Sequence, residues 1–441
     1  MVEVPRLKIG IVSDIHLQYA FDPNDPKKQG MSSSQTFEHA LAYFRDQGVD
    51  GVVVAGDLTE YGRLCELEAS GIAWNRVFPG GKGIDGKPVA KLIIRGNHDK
   101  MDGRPAKDGS EKEPLVRDDP TGAFKKVYGI DDYAPIMMRQ VNGYKFVLVN
   151  WGSEDEAGEW IRKHAAELPK DRPFFYVQHP HLKGTNIASM DHGKATEALK
   201  AFPNAVAFSG HSHLSLTLGS QIWQDSFTAV GTSCLQWINT LRDRDNARRH
   251  KGILAHTPAA DRKGRQGLLM TVYDDRIVLK RREFLTDCDV GPDWVIPLDG
   301  SKPYGWKVQK DRSVAPEFAK DATARIDRKM GANSAGEKEM QLQVVFPRPL
   351  PAVGDRGRTI EYEATVFRAD EDESKPLLVR RVYAERFFLA DGFLSKTGLV
   401  CFAESELPRG VRLRFAVRAL NDWEVRGNPI YGEYTPELKS E

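Results

Sequence analysis

Five short apolar runs in this chain each stop on an acid, an amide or an imidazole, and that repeated arrangement constrains the fold more than any other feature. Leu7-Lys8-Ile9-Gly10-Ile11-Val12 leads into Asp14-Ile15-His16, and Gly51-Val52-Val53-Val54-Ala55 into Gly56-Asp57. Leu92-Ile93-Ile94 leads into Gly96-Asn97-His98-Asp99, Phe174-Phe175-Tyr176-Val177 into His179, and Ala205-Val206-Ala207-Phe208 into Gly210-His211-Ser212-His213. By length and β-branched content the runs read as buried strands. Helical stripes lie between them. Phe37, Ala40, Leu41 and Phe44 run up to Gly48, and Ala157, Trp160, Ile161, Ala165 and Leu168 run up to Pro169. This alternation predicts an α/β layered fold for roughly the first 290 residues. In open α/β sheets ligands sit beyond the carboxyl ends of the strands, so five such ends can meet in one place.

Taken singly, a D-x-H or H-x-H triplet is weak. Taken together, the segments supply the donors for two metal ions. Asp57 is the expected bridge, one carboxylate oxygen facing each ion, with Asp14, His16 and His213 completing one site and Asn97, His179 and His211 the other. A mixed nitrogen and oxygen set favours Mn, Fe, Zn, Co or Ni over the all-oxygen cage of calcium. Such a pair lowers the pKa of bound water and neutralises phosphoryl oxygens, which suits hydrolysis of a phosphate ester. His98, beside Asn97, is the expected general acid for the leaving group, and Glu60, three residues after Asp57, its orienting carboxylate.

In this order the motifs D-x-H, G-D, G-N-H-D, a later His and G-H-x-H resemble the calcineurin-like metallophosphoesterase superfamily, over about residues 7 to 285. The resemblance implies an α/β (α+β) four-layer sandwich, two mixed β-sheets face to face and flanked by helices. It puts metal ligands at Asp14, His16, Asp57, Asn97, His179, His211 and His213 and the proton donor at His98, with Glu60 matching the acid that pairs with that donor in the protein phosphatases. Purple acid phosphatases carry a tyrosine ligand three residues after the bridging Asp and lack the first-motif histidine; here Tyr61 is four after and His16 is present. The serine/threonine phosphatases have Arg where this chain has Tyr61. The motif style is closest to bacterial enzymes acting on small phosphodiesters or phosphomonoesters. The expected function is two-metal-dependent phosphate ester hydrolysis; the alternatives are a nuclease and a non-catalytic metal-binding scaffold.

Composition narrows the partners. Lys plus Arg total 63 against 62 Asp plus Glu, a net charge of +1, which gives no general attraction to nucleic acid or anionic membrane. No stretch approaches the ~20 apolar residues of a membrane span. Cys65, Cys234, Cys288 and Cys401 form no C-x-x-C pair and indicate neither a disulfide framework nor a thiolate zinc site. The first strand begins within about ten residues of Met1 with no signal-like segment, so a cytoplasmic location is expected, or export with the leader missing from this chain. A small phosphate-ester substrate is the expected partner.

Other features read as structural. Gly81-Lys82-Gly83-Ile84-Asp85-Gly86-Lys87 matches G-x-x-x-x-G-K, but Pro88 stands where a phosphate loop needs Ser or Thr, so a turn is expected. His39, His164, His192, His250 and His256 read as structural or solvated, while His181 is a candidate substrate contact. The charged run Arg242 to Lys251 reads as a solvated loop because acids interleave with its bases. The stretch Asp102 to Pro120 is either disordered or a lid. Beyond an expected enzyme domain over 1–295 and a connecting region over 296–338, alternation returns at Met340, Leu342 and Val344, then from Ile360 to Val366 and from Val411 to Ala419. This predicts a small all-β sandwich over 339–441, resembling a fibronectin type III or immunoglobulin-like domain, with homo-oligomer formation among its expected roles.

Overall fold

The computed structural model describes residues 3–20, 30–102, 114–240, 242–247, 254–352 and 354–436. The chain divides into two compact units, Met1–Ile238 with Lys263–Trp306, and Asn239–Arg262 with Lys307–Glu441.

The first unit contains two mixed sheets. One has the strand order Cys288–Asp289, Arg276–Glu283, Gln266–Val272, Leu7–Val12, Gly51–Ala55, Ala90–Ile94, with Trp294–Pro297 also paired to Arg276–Glu283. Its strands Leu7–Val12, Gly51–Ala55 and Ala90–Ile94 are parallel. The other runs Ile222–Gln224, Thr228–Gly231, Ala205–Ser209, Phe174–Gln178, Tyr144–Val149, Ile136–Val141, and its four inner strands are parallel. All five motif-bearing runs are therefore parallel strands, three in one sheet and two in the other.

These runs are continuously apolar because both faces are covered. Phe146, Leu148, Phe175, Val177, Val206 and Phe208 join Ile9, Ile11 and Val53 in a single core, so the two sheets bury one face of each together. The intervening Val147, Val149, Phe174, Tyr176, Ala205 and Ala207 pack on Ala157, Ile161, Ala198 and Leu199 of the helices Glu154–Lys163 and Lys194–Leu199. Helix Ser34–Asp46 buries Phe37, Ala40, Leu41 and Phe44 as its stripe predicts, and Gly48 follows at φ 66°. The second stripe outruns its helix. Glu154–Lys163 ends at His164, whose ring stacks on Trp160 at 4.0 Å and whose Nδ1 shares the Trp160 carbonyl, at 2.8 Å, with its own backbone N–H.

The second unit is all β. Arg325–Ala332, Lys338–Pro347 and Thr397–Ala403 form one antiparallel sheet, and Leu378–Tyr383, Glu361–Arg368, Leu413–Leu420 and Ile430–Tyr434 another. Ring contacts join them, Phe346 edge-on to Tyr362 at 4.8 Å and Phe402 tilted against Phe415 at 5.8 Å.

Three expectations change. Residues 296–338 hold the end of strand Trp294–Pro297, helix Trp306–Arg312 and strand Arg325–Ala332. That last strand is an edge, exposed on much of both faces, so it carries no apolar alternation to read. The first unit runs on to Trp306, and residues 239–262 belong with the second. There the run from Arg242 is anchored and not solvated: Arg242 Nη1 and Arg244 Nε reach the two carboxylate oxygens of fully buried Glu361 at 3.1 and 2.7 Å. Arg248 to Lys251 lie outside the described residues. So do residues 103–113 of the expected lid, whereas Asp119 caps helix Pro120–Tyr128 by accepting from Gly122 N. The G-x-x-x-x-G-K segment is a turn, closed by Gly83 N donating to Lys87 O at 2.9 Å. Among the described residues no cysteine forms a disulfide, and no helix is long and apolar enough to cross a membrane.

Glu361→Ala leaves two guanidinium groups without their shared acid, and denaturant titration should find a loss of about 3 kcal/mol. A second prediction concerns Glu66, a fully buried residue whose carboxylate accepts from Tyr61 N, Arg63 N and Tyr19 N at the head of helix Leu64–Val77. Burial pushes it from its ordinary 4.5 up to about 7. An acid raised on folding contributes stability that is present below its unfolded value and lost as pH rises through the folded one. Relative to Glu66→Gln, the native chain should therefore lose about 2–3 kcal/mol between pH 4.5 and 7, read from paired unfolding curves.

Candidate metal centre

The loops after three of the five strands carry functional residues on strained backbone. Asp14, His16, Asp57, His211 and His213 all have positive φ, at 51°, 50°, 54°, 69° and 53°. For a residue with a Cβ this left-handed conformation costs about 1–2 kcal/mol, so the surroundings must impose it. They do so through pairing of the first two loops. Asp14 N donates to Gly56 O, Ile15 N and His16 N to Asp57 O, Leu17 N to Leu58 O and Glu60 N to Leu17 O, at 2.8 to 3.0 Å. The motif glycines permit the approach of the others. A Cβ on Gly56, at φ 93°, would strike the His179 ring, and one on Gly96 would overlap Asp57 Oδ1.

Seven donor atoms meet there. His213 Nε2 lies 3.0 Å from Asp14 Oδ1 and 3.1 Å from His16 Nε2; His179 Nε2 lies 3.1 Å from both Asp57 Oδ2 and Asn97 Oδ1; His211 Nδ1 lies 2.8 Å from Asn97 Oδ1. Ligand bonds of about 2.1 Å meeting near right angles set neighbouring donors about 3 Å apart, the spacing found here. The other ring nitrogens settle the tautomers. His179 Nδ1 donates to the Ala55 carbonyl at 2.7 Å, His213 Nδ1 to the Trp237 carbonyl at 3.1 Å, and His16 Nδ1 faces Glu60 Oε2 at 2.7 Å. His211 Nε2 points at Met190 Sδ, 2.9 Å away. Each inner nitrogen is thus left with a lone pair directed at other lone pairs. Only a shared positive charge makes such a cluster favourable, and the imidazole, carboxylate and amide donors fit divalent transition ions.

Without an ion the carboxylates draw protons onto two of these rings instead, His179 and His213. Burial opposes charging of His179, but Asp57 outweighs it and lifts the ring to about 9. Burial works against Asp14 in the same way, yet His213, His179 and His16 hold its carboxyl well below the usual range. Burial and His179 depress His211 to about 4, which keeps it a neutral donor.

Asp57 turns its oxygens to different partners: Oδ1 accepts the His98 N–H at 2.8 Å, and Oδ2 lies 3.8 Å from His16 Nε2 and 3.1 Å from His179 Nε2. One expected role is altered, because the Glu60 carboxylate is not bonded to His98. It sits on His16, while His98 Nδ1, 3.8 Å from that carboxylate, donates to the Glu60 main-chain carbonyl at 2.8 Å. His181 is buried against Ser212 Oγ at 2.7 Å, and burial depresses it to about 3, so it packs instead of facing substrate. His39 and His192 pair at the surface with Asp287 and Asp155, and His256 is buried between Glu339 and Glu406; His250 lies outside the described residues.

Sequence reasoning missed three contributors. Asp99, fully buried, accepts from Gly96 N, Thr59 N and Thr59 Oγ1 at 2.8 to 2.9 Å and joins the Asp57 loop to the Asn97 loop. The fourth position of G-N-H-D was the available signal for it. Trp237 lies 4.3 Å from the His213 ring and 5.1 Å from the His16 ring, and Trp151 lies 5.5 Å from His211. Nothing in the motifs marks either indole.

Residues 7–215 match the family model of the calcineurin-like phosphoesterases. No curated protein matches the chain. Among solved structures it is similar to a dimetal phosphatase from Danio rerio (13% identity, 67% of this chain and 99% of that one, TM-score 0.39). It is also similar to the purple acid phosphatase PPD1 of yellow lupin (13%, 67% and 55%, TM-score 0.39). A third is a single mutant of Vps29 from Entamoeba histolytica (11%, 66% and 100%, TM-score 0.30). The family match and the clustered donors support metal-dependent phosphoester hydrolysis in general terms.

Gly96→Ala keeps every donor yet drives a methyl group onto Asp57 Oδ1. Metal content after dialysis should show affinity falling by about tenfold or more.

Proposed function

We propose that this protein hydrolyses small phosphate esters, monoesters or small diesters, with two divalent or trivalent ions of the Mn, Fe, Zn, Co or Ni class. The observation that carries the reading is the meeting of seven donor atoms, with the outer ring nitrogens of His179, His213 and His211 hydrogen-bonded away from the centre and that of His16 set 2.7 Å from Glu60 Oε2. Asp14, His16 and His213 would hold one ion, Asn97, His179 and His211 the other, and Asp57 Oδ2 would serve both. Ions held there would supply a hydroxide nucleophile near neutral pH and neutralise phosphoryl charge. With Nδ1–H given to the Glu60 carbonyl, the imidazolium form of His98 would hand its Nε2 proton to the departing alkoxide and be left as the neutral Nδ1–H ring. The flanking Trp151 and Trp237 limit water around the centre. Balanced charge favours a small substrate over nucleic acid. The shared core of the two sheets supports a four-layer sandwich, and the seven antiparallel strands of the second unit support an immunoglobulin or fibronectin III-like domain, with packing or self-association as its role.

The test is turnover by metal-loaded protein on p-nitrophenyl phosphate, its bis ester, alkyl phosphates, cyclic nucleotides and DNA. Metal binding without turnover on any ester would make the protein a scaffold, and preference for DNA with steep salt dependence would make it a nuclease. His98→Ala should keep its metal and lose about 10²-fold or more in kcat, most severely on alkyl esters. Full activity of that variant on an alkyl phosphate would remove His98 from the reaction.

A further inference from the structure

We infer that Glu60 is a positioning residue with two separate duties, its carboxylate setting the ligand His16 and its main-chain carbonyl setting His98. The inference rests on the metal-dependent reading above. The distances separate the duties. Glu60 Oε2 is 2.7 Å from His16 Nδ1 but 3.8 Å from His98 Nδ1, and His98 Nδ1 has its acceptor in the Glu60 carbonyl at 2.8 Å. One ring nitrogen has one proton to give, and the carbonyl takes it. His16 Nδ1 and Glu60 Oε2 are both sealed from solvent and neither hydrogen-bonds to any other group, so their 2.7 Å ion-pair contact, off the aligned hydrogen-bond geometry, is what each atom has.

The arrangement follows from the paired loops. Glu60 N donates to Leu17 O and Leu17 N to Leu58 O, each at 2.8 Å, which holds residue 60 beside residue 16. The Trp237 ring at 5.1 Å also packs on the imidazole of His16. Of the three histidines whose Nε2 faces the centre, His179 and His213 give Nδ1–H to neutral carbonyls, whereas His16 alone faces a carboxylate. A carboxylate there fixes the tautomer and makes Nε2 a stronger donor. One half of the centre therefore depends on an exchangeable side chain, and the orientation of His98 does not.

Calorimetric titration of metal-depleted protein with Mn(II) tests this on the native chain, Glu60→Gln and Glu60→Ala. One of two binding steps should weaken by about 10- to 100-fold, more in Ala than in the isosteric Gln, whose amide oxygen still accepts; the other step should move by less than about threefold. At saturating metal, the ratio of kcat on p-nitrophenyl phosphate to kcat on an alkyl phosphate should hold within about threefold. Unchanged binding steps would overturn the inference, and a ratio rising by about tenfold with metal binding intact would return the carboxylate to His98. A native chain that takes up no Mn(II) sinks this inference and the proposed function together. Uptake without turnover sinks only the latter, because the titration still reads Glu60.

Discussion

Everything in the first unit answers to one electrostatic problem: imidazole nitrogens and carboxylate oxygens with lone pairs aimed at one another about 3 Å apart, out of water. Left to itself such a cluster would open. Two features oppose that. The outer edge of each ring is held, by Ala55, Trp237, Glu60 or Met190, so no histidine can turn its proton inward without losing a partner. The backbone beneath is held in left-handed conformations by loop-to-loop hydrogen bonds. The strain is a cost to folding that binding of a cation would offset, because a cation would turn mutual repulsion into shared attraction.

The two sheets make this geometry affordable. Parallel strands align their carboxyl ends, and sharing one apolar core brings two such rows of ends together, so that three loops come from one sheet and two from the other. Asp99 illustrates the tolerance involved. A buried acid is expensive to charge, and burial raises its pKa, yet it accepts three close hydrogen bonds that bind the Asp57 loop to the loop of Asn97. A neutral or shorter residue would leave those donors unmatched.

The second unit solves a different problem by similar chemistry. Its sheets close on apolar rings, but the segment 239–262 is too polar to join by burial alone. Glu361 holds it by splitting its carboxylate between Arg242 and Arg244, both donors satisfied by one buried acid.

Much of this was legible in the amino-acid order. The runs Leu7–Val12 and Gly51–Ala55 are strands over those very residues, since a strand buried on both faces must be apolar throughout and its end is marked by the first polar group. The donors were legible because metal chemistry admits few residue types. Three matters were decided only in three dimensions: which proton on His98 goes to which oxygen of Glu60, that strand Arg325–Ala332 exists, and that residues 239–262 lie with the second unit. Local sequence encodes periodicity and residue chemistry, which fix what a segment can bury and bind. Partner choice between groups distant along the chain depends on ångström differences in approach, and those arise only once the loops and sheets have packed.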